Sequence, residues 1–145
     1  MSLKKETDMS AQAIRATKVA GWTLIILAIV HTATDIATLL SEPSQQMRAA
    51  TIAMKQVVIP TSSHSFALFV YGVSFTMALF LAATGSTLLL AARYGRHVPS
   101  LIRAMLWLTL VVTVVGVIIS ILFMPLPPII GLSVAFIAAA IGLIF

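Results

Sequence analysis

The chain contains no cysteine, which excludes disulfides, thiolate metal sites and cysteine nucleophiles. It is also short of charge. Asp, Glu, Lys and Arg make up 9% of its 145 residues, against about 25% in an ordinary soluble domain. Acid is scarcest, being confined to Glu6, Asp8, Asp35 and Glu42. No Gly-rich phosphate loop, serine-nucleophile motif or dinucleotide fingerprint occurs. Apolar residues fill the chain instead, at 60% hydrophobic with a mean hydropathy of +1.09. A water-soluble fold this short leaves roughly 30% of its surface exposed and could not hide so much apolar area. The composition belongs in a bilayer.

A hydrocarbon core about 30 Å thick takes about 20 apolar residues in a helix. Four runs approach that length: 19–40, 65–92, 101–124 and 129–145. The first is broken only by His31 and Asp35, and the second and third hold no formal charge. Pro125, Pro127 and Pro128 predict a stiff turn before the short fourth run. A cleaved signal peptide is a poor match for the first run, which is longer than the usual apolar segment and holds two ionisable residues. The expected organisation is a basic segment at 1–18 followed by a four-span membrane domain at 19–145.

The net charge of +5 is explained by position. The cations sit at the ends of apolar runs and form no basic stripe interleaved with aromatics, so no nucleic-acid partner is expected. Lys4, Lys5, Arg15, Lys18, Arg93, Arg96 and Arg103 fall on one side of the expected topology, and Arg48 and Lys55 on the other. The positive excess marks the cytoplasmic side, which predicts a multi-pass protein of the cell (inner) membrane with both termini inside. Trp22, Tyr94 and Trp107 near the span ends read as interface anchors, and His97 beside Arg96 as an interfacial residue. The 41–64 loop then faces outside. Within it Met47, Ala50, Met54 and Val57 recur at helical spacing, which predicts a short interfacial helix, while a plain connector is the simpler alternative. Pro60 ends it, and Thr61, Ser62 and Ser63 are candidate caps for the second span.

Small residues mark one face of three spans: Ser74, Ala78, Ala82 and Gly85; Thr109, Thr113, Gly116 and Ser120; Gly131, Ala135, Ala138 and Gly142. Lipid supplies no hydrophobic drive for helix association, so close approach through small residues takes its place. The expected fold is all-α, an antiparallel four-helix transmembrane bundle with the interfacial helix in its first outer loop.

The first span is different. At the same spacing it presents His31, Asp35, Thr38 and Glu42. Side chains four apart on a helix lie one above the other, so the imidazole and carboxylate can meet. An unpaired charge at this depth costs at least roughly 2.5–3.5 kcal/mol, so the stripe must face the bundle interior or a wet cavity. His64, Tyr71 and Ser74 on or just before the second span are placed to join His31, Asp35 and Thr38 in one outward-opening ligand or proton site. The simpler reading is a structural clasp, a His–Asp pair that hydrogen-bonds a neighbouring helix and does no chemistry. Glu42 reads as a solvated loop carboxylate and the scattered methionines as packing. Neither a His-Glu-x-x-His motif nor paired histidines on one helix occur, so no metal and no other cofactor is expected.

Three functions compete. The favoured one is a small four-span protein whose His31–Asp35 site handles protons or a small lipophilic or cationic ligand from the extracytoplasmic side, by transport or binding. In span number and in Asp35, the lone acid of its spans, the chain resembles the small multidrug resistance exporters. The resemblance implies an exchange point for protons and cations at Asp35. This chain is longer, has Asp where those exporters have Glu, and adds His31. The second function is a membrane-embedded isomerase or cyclase, with His31 and Asp35 as catalytic acid and base on a lipophilic substrate. The third is an accessory subunit packed on a larger partner, for which Gly72, Ala83 and Ser86 offer a second small-residue face. The bilayer is a partner in all three, and a homo-oligomer is compatible with each.

Overall fold

The computed structural model describes residues 11–59, 64–95, 98–123 and 126–144. Five helices follow in chain order: α1 Ala11–Leu40, α2 Gln45–Gln56, α3 Phe66–Tyr94, α4 Pro99–Phe123 and α5 Leu126–Ile144. Among the described residues there is no strand, only an isolated bridge between Val58 and Ser65. Helices α1, α3, α4 and α5 are each long and apolar enough to cross a membrane, and the chain is a small multi-pass membrane protein. Lys4, Lys5, Pro60, Thr61, Ser62, Ser63, Arg96, His97 and Pro125 lie outside the described residues.

The helix ends follow local chemistry. α1 begins at Ala11, ahead of the apolar run, so Arg15 and Lys18 ride exposed on its first turns. Pro43 stops it, because the residue before a proline is pushed out of the helical region. Ser44 caps α2, its side chain accepting from the Met47 amide at 3.3 Å. Ser65 Oγ accepts from the Leu68 amide at 3.4 Å and caps α3. Pro99 opens α4 at a position where a missing N–H costs nothing. The expected stiff turn is shorter than its prolines implied, for Pro127 and Pro128 lie inside the first turn of α5. First-turn amides have no partner in a helix, so proline is tolerated there. The gain lengthens α5 to 19 residues, about 28 Å, close to a full crossing.

By contacts the chain divides into two units, Met1–Leu27 with Leu81–Phe145, and Ala28–Phe80. The first holds the core. Ala20, Leu24, Leu27, Leu88, Leu132, Ala135 and Ala138 form one cluster, and Ile102, Leu106 and Ala139 another. Glycine sets the closest approach. A Cβ placed on Gly85 would lie 2.6 Å from the Gly21 carbonyl oxygen, and one on Gly21 2.9 Å from that of Gly85. Gly116 faces Leu132, and Gly142 faces Leu106, so contacts along α4 meet α5 in reverse chain order. The buried hydroxyls of Thr17, Thr109 and Thr113 donate to carbonyls one turn back on their own helices, at 2.8, 2.8 and 2.7 Å. Such bonds satisfy a hydroxyl without a partner helix, so these threonines serve packing.

The second unit is thinly packed. Among its described residues only Ala28, Ala67 and Ala78 are buried, and no residue of α2 is. Across the four spans the outward side chains are large and apolar, as at Ile29, Leu79, Val111 and Ile137. At most 28% of the most apolar window of each span is buried. That surface suits hydrocarbon.

Candidate functional site

In the Ala28–Phe80 unit, α1 runs without glycine or proline through His31 and Asp35, and its regular turn stacks the two side chains on one face. His31 Nε2 and Asp35 Oδ2 are 3.7 Å apart, too far for a direct hydrogen bond. The hydroxyl of Ser74 on α3 fills the gap. Ser74 Oγ donates to Asp35 Oδ2 at 2.6 Å and lies 3.0 Å from His31 Nε2. Both α1 side chains are about four-fifths covered, at 21% and 19% exposure.

The bonding directions are linked. A serine hydroxyl has one hydrogen to give. If it goes to Asp35, Ser74 must accept from His31, so Nε2 carries the ring proton. The result is a directed chain, His31 Nε2–H to Ser74 Oγ–H to Asp35 Oδ2. The reverse direction uses the same atoms: a protonated Asp35 donates to Ser74, which donates to a bare Nε2. Starting from an imidazolium, passing between the two moves one net proton from the ring to the carboxylate and leaves a neutral ring protonated at Nδ1, with no displacement of heavy atoms. A charged-acceptor bond of this kind is about twice as strong as a neutral one.

The remaining candidates stand apart from this chain. Tyr71 is half-buried three residues before Ser74 and makes no hydrogen bond among the described residues. Thr38 is exposed, and its hydroxyl donates to the Thr34 carbonyl at 2.8 Å. With Val30, Ala33, Thr34, Ala37 and Ser41 it lines an open depression of about 510 Å³ on α1. His64 is exposed ahead of α3 beside a smaller depression of about 270 Å³ that includes Ile59, Leu68 and Phe69. Phe66 to Ser74 alone is about 12 Å of helix, so His64 belongs to another level. Glu42 is exposed past the end of α1. Among the described residues, no three of His, Asp and Glu gather where a metal ion could be held. The His31–Ser74–Asp35 set offers one ring nitrogen and one carboxylate, a donor set suited to moving a proton.

No family model, no curated protein and no solved structure matches this chain.

Proposed function

We propose that this is a proton-handling protein of the cell membrane that binds or transports a small lipophilic or cationic ligand from the extracytoplasmic side. The observation that carries the reading is the bridged chain His31–Ser74–Asp35. Ionisable groups within membrane spans are costly, and their default reading is functional. Two such groups, joined through one serine hydroxyl by two hydrogen bonds, form a continuous path along which a proton can pass. A cation reaching Asp35 competes with the proton for the same carboxylate, which is the simplest form of exchange.

The topology follows from charge. The excess of Lys and Arg on the side of the α1 N-terminus and the α3–α4 link supports a cytoplasmic position for both termini. Helices α1, α3, α4 and α5 then form an antiparallel bundle, and α2 lies along the outer interface. His31 is nine residues from the outer end of α1 and Ser74 eight from that of α3, depths of about 12–14 Å. A ligand from outside has a short path to the site.

The test uses the purified chain in proteoliposomes with a pH-sensitive dye inside, and tetraphenylphosphonium as the lipophilic cation. In the unaltered chain, adding the cation outside moves internal pH. Asp35→Asn keeps size and hydrogen bonding but cannot titrate, and abolishes the response, whereas Thr38→Ala retains it. An unchanged response in Asp35→Asn defeats the proposal.

A further inference from the structure

Among the described residues, α2 is the one helix with no buried side chain. A helix of 12 residues is marginal in water on its own, and within the chain only Thr51 and Met54 are half-covered, so most of its surface is open to a partner from outside. Its two ends show where that partner lies. Only Ser41, Glu42, Pro43 and Ser44 separate it from the end of α1. At the other end the carbonyl of Val57, its C-cap residue, accepts from the amide of Phe66, the first residue of α3, at 2.8 Å. Ile59 N–H donates to the His64 carbonyl at 3.2 Å and closes the same link. The helix is therefore tied at both ends to membrane-crossing helices, which keeps it close to the ends of α1 and α3.

Its charge selects the kind of surface. Arg48 and Lys55 are seven residues apart and share one face two turns along, about 10 Å from each other. The helix contains no acid, and Glu42 precedes its N-terminus, where the helix dipole favours a negative charge. Met47, Ala50 and Met54 form an adjoining apolar arc. With that arc in the acyl boundary, both cations sit at headgroup level. We propose that α2 is an anionic-lipid contact, with Arg48 and Lys55 binding phosphate-bearing acidic headgroups of the outer leaflet. This rests on the interfacial placement of α2 proposed above, and is independent of what His31 and Asp35 do.

The chain lacks cysteine, so a Met54→Cys variant takes a single bimane label. It is placed in nanodiscs of phosphatidylcholine alone, or of equal parts phosphatidylcholine and phosphatidylglycerol. Lipids brominated high on the acyl chain report contact by quenching. Quenching should be stronger in the anionic discs. Each cation near an anionic surface contributes roughly fivefold to partitioning, so the double change R48Q/K55Q lowers the anionic preference by roughly 25-fold. R48K/K55R should retain it. Salt should weaken it in the unsubstituted helix background, because exposed charges are screened beyond about 10 Å at moderate ionic strength. Equal quenching in both lipids, insensitive to salt, overturns headgroup recognition while leaving the interfacial placement intact. No quenching in either lipid overturns both.

Discussion

Ser74 Oγ donates to Asp35 Oδ2 across 2.6 Å, a contact that joins α3 to α1 at the only acid within a span. It also supplies the step between two groups on α1 that are too far apart to bond. Removing the hydroxyl separates a relay from a clasp. Ser74→Ala leaves His31 and Asp35 at 3.7 Å with nothing between them. A hydrogen bond to a charged acceptor is worth about 1.5–3 kcal/mol, and partial exposure favours the low end. The expected result is a loss of about 1.5 kcal/mol by detergent unfolding, with the cation-driven pH response abolished. Ser74→Thr keeps the hydroxyl and should keep the response. If Ser74→Ala loses stability yet responds normally, the contact is structural.

Gly21 and Gly85 make a sharper stability prediction. Their backbones meet so closely that a Cβ on Gly85 would press on a carbonyl oxygen, and backbone cannot rotate away as a side chain can. Gly85→Ala should cost about 1–3 kcal/mol through overpacking. Gly72→Ala is the control, for a Cβ there meets nothing within 4 Å. Alanine is the better helix former by about 1 kcal/mol, so that change should be neutral or stabilising. Thermal unfolding of the two variants in the same detergent checks the contrast.

Leu24 and Leu106 test how far soluble-protein energetics carry over. Both are essentially fully buried, at 2% and 0% exposure. In water, Leu→Ala in a core costs about 2–5 kcal/mol, part of it lost transfer from water. Inside a bilayer the separated helices still keep leucine in hydrocarbon, so only the packing part remains. Leu24→Ala and Leu106→Ala should each cost about 1–2 kcal/mol, below the usual soluble range. Reversible unfolding in mixed detergent measures it, and a cost at the soluble maximum would contradict this account of the bundle.

The apolar runs made the four spans legible because bilayer thickness fixes their length, whatever packs against them. Their ends were less legible. α1 continues back to Ala11 through Ala, Gln, Arg and Lys, which form helix readily but do not register as an apolar run. Pro127 and Pro128 signal a break by type, and only their place in the first turn of α5 makes them harmless. The stripe on α1 showed that His31 and Asp35 share a face, since that follows from helical spacing alone. That Ser74 sits between them depends on how α3 is rotated and shifted against α1, which no single helix encodes. Thr38 matched the same stripe, but its hydroxyl turns back to its own helix, a choice invisible to spacing. Gly21 was lost for a similar reason, being one small residue whose partner lies on another helix.

Topology is open to a direct chemical test because the chain has no cysteine of its own. Gln12 and Gln46 are both exposed, near the start of α1 and on α2. With both termini inside, a membrane-impermeant maleimide added to intact cells should label Gln46→Cys and spare Gln12→Cys until the cells are opened. The reverse pattern would invert the orientation and move the ligand path to the cytoplasmic side.

The direction of the hydrogen bonds makes the last prediction, and it concerns His31 itself. Ser74 has one hydrogen, and donating it to Asp35 obliges His31 to present Nε2–H. Neutral histidine has two tautomers, and the partner of one ring nitrogen decides between them. Nitrogen NMR of the histidine-labelled chain should therefore show His31 in the Nε2–H form at a pH where the ring is neutral. The resonance is assigned by its loss in His31→Gln, since His64 and His97 are also present. Ser74→Ala removes the acceptor that fixes the choice and should leave a mixture of the two forms. His64 is unaffected by that change, because it sits at a separate level before α3. A dominant Nδ1–H form in the unaltered chain would reverse the chain of donors, placing the proton on Asp35 and making the carboxylic acid, not the imidazole, the resting donor.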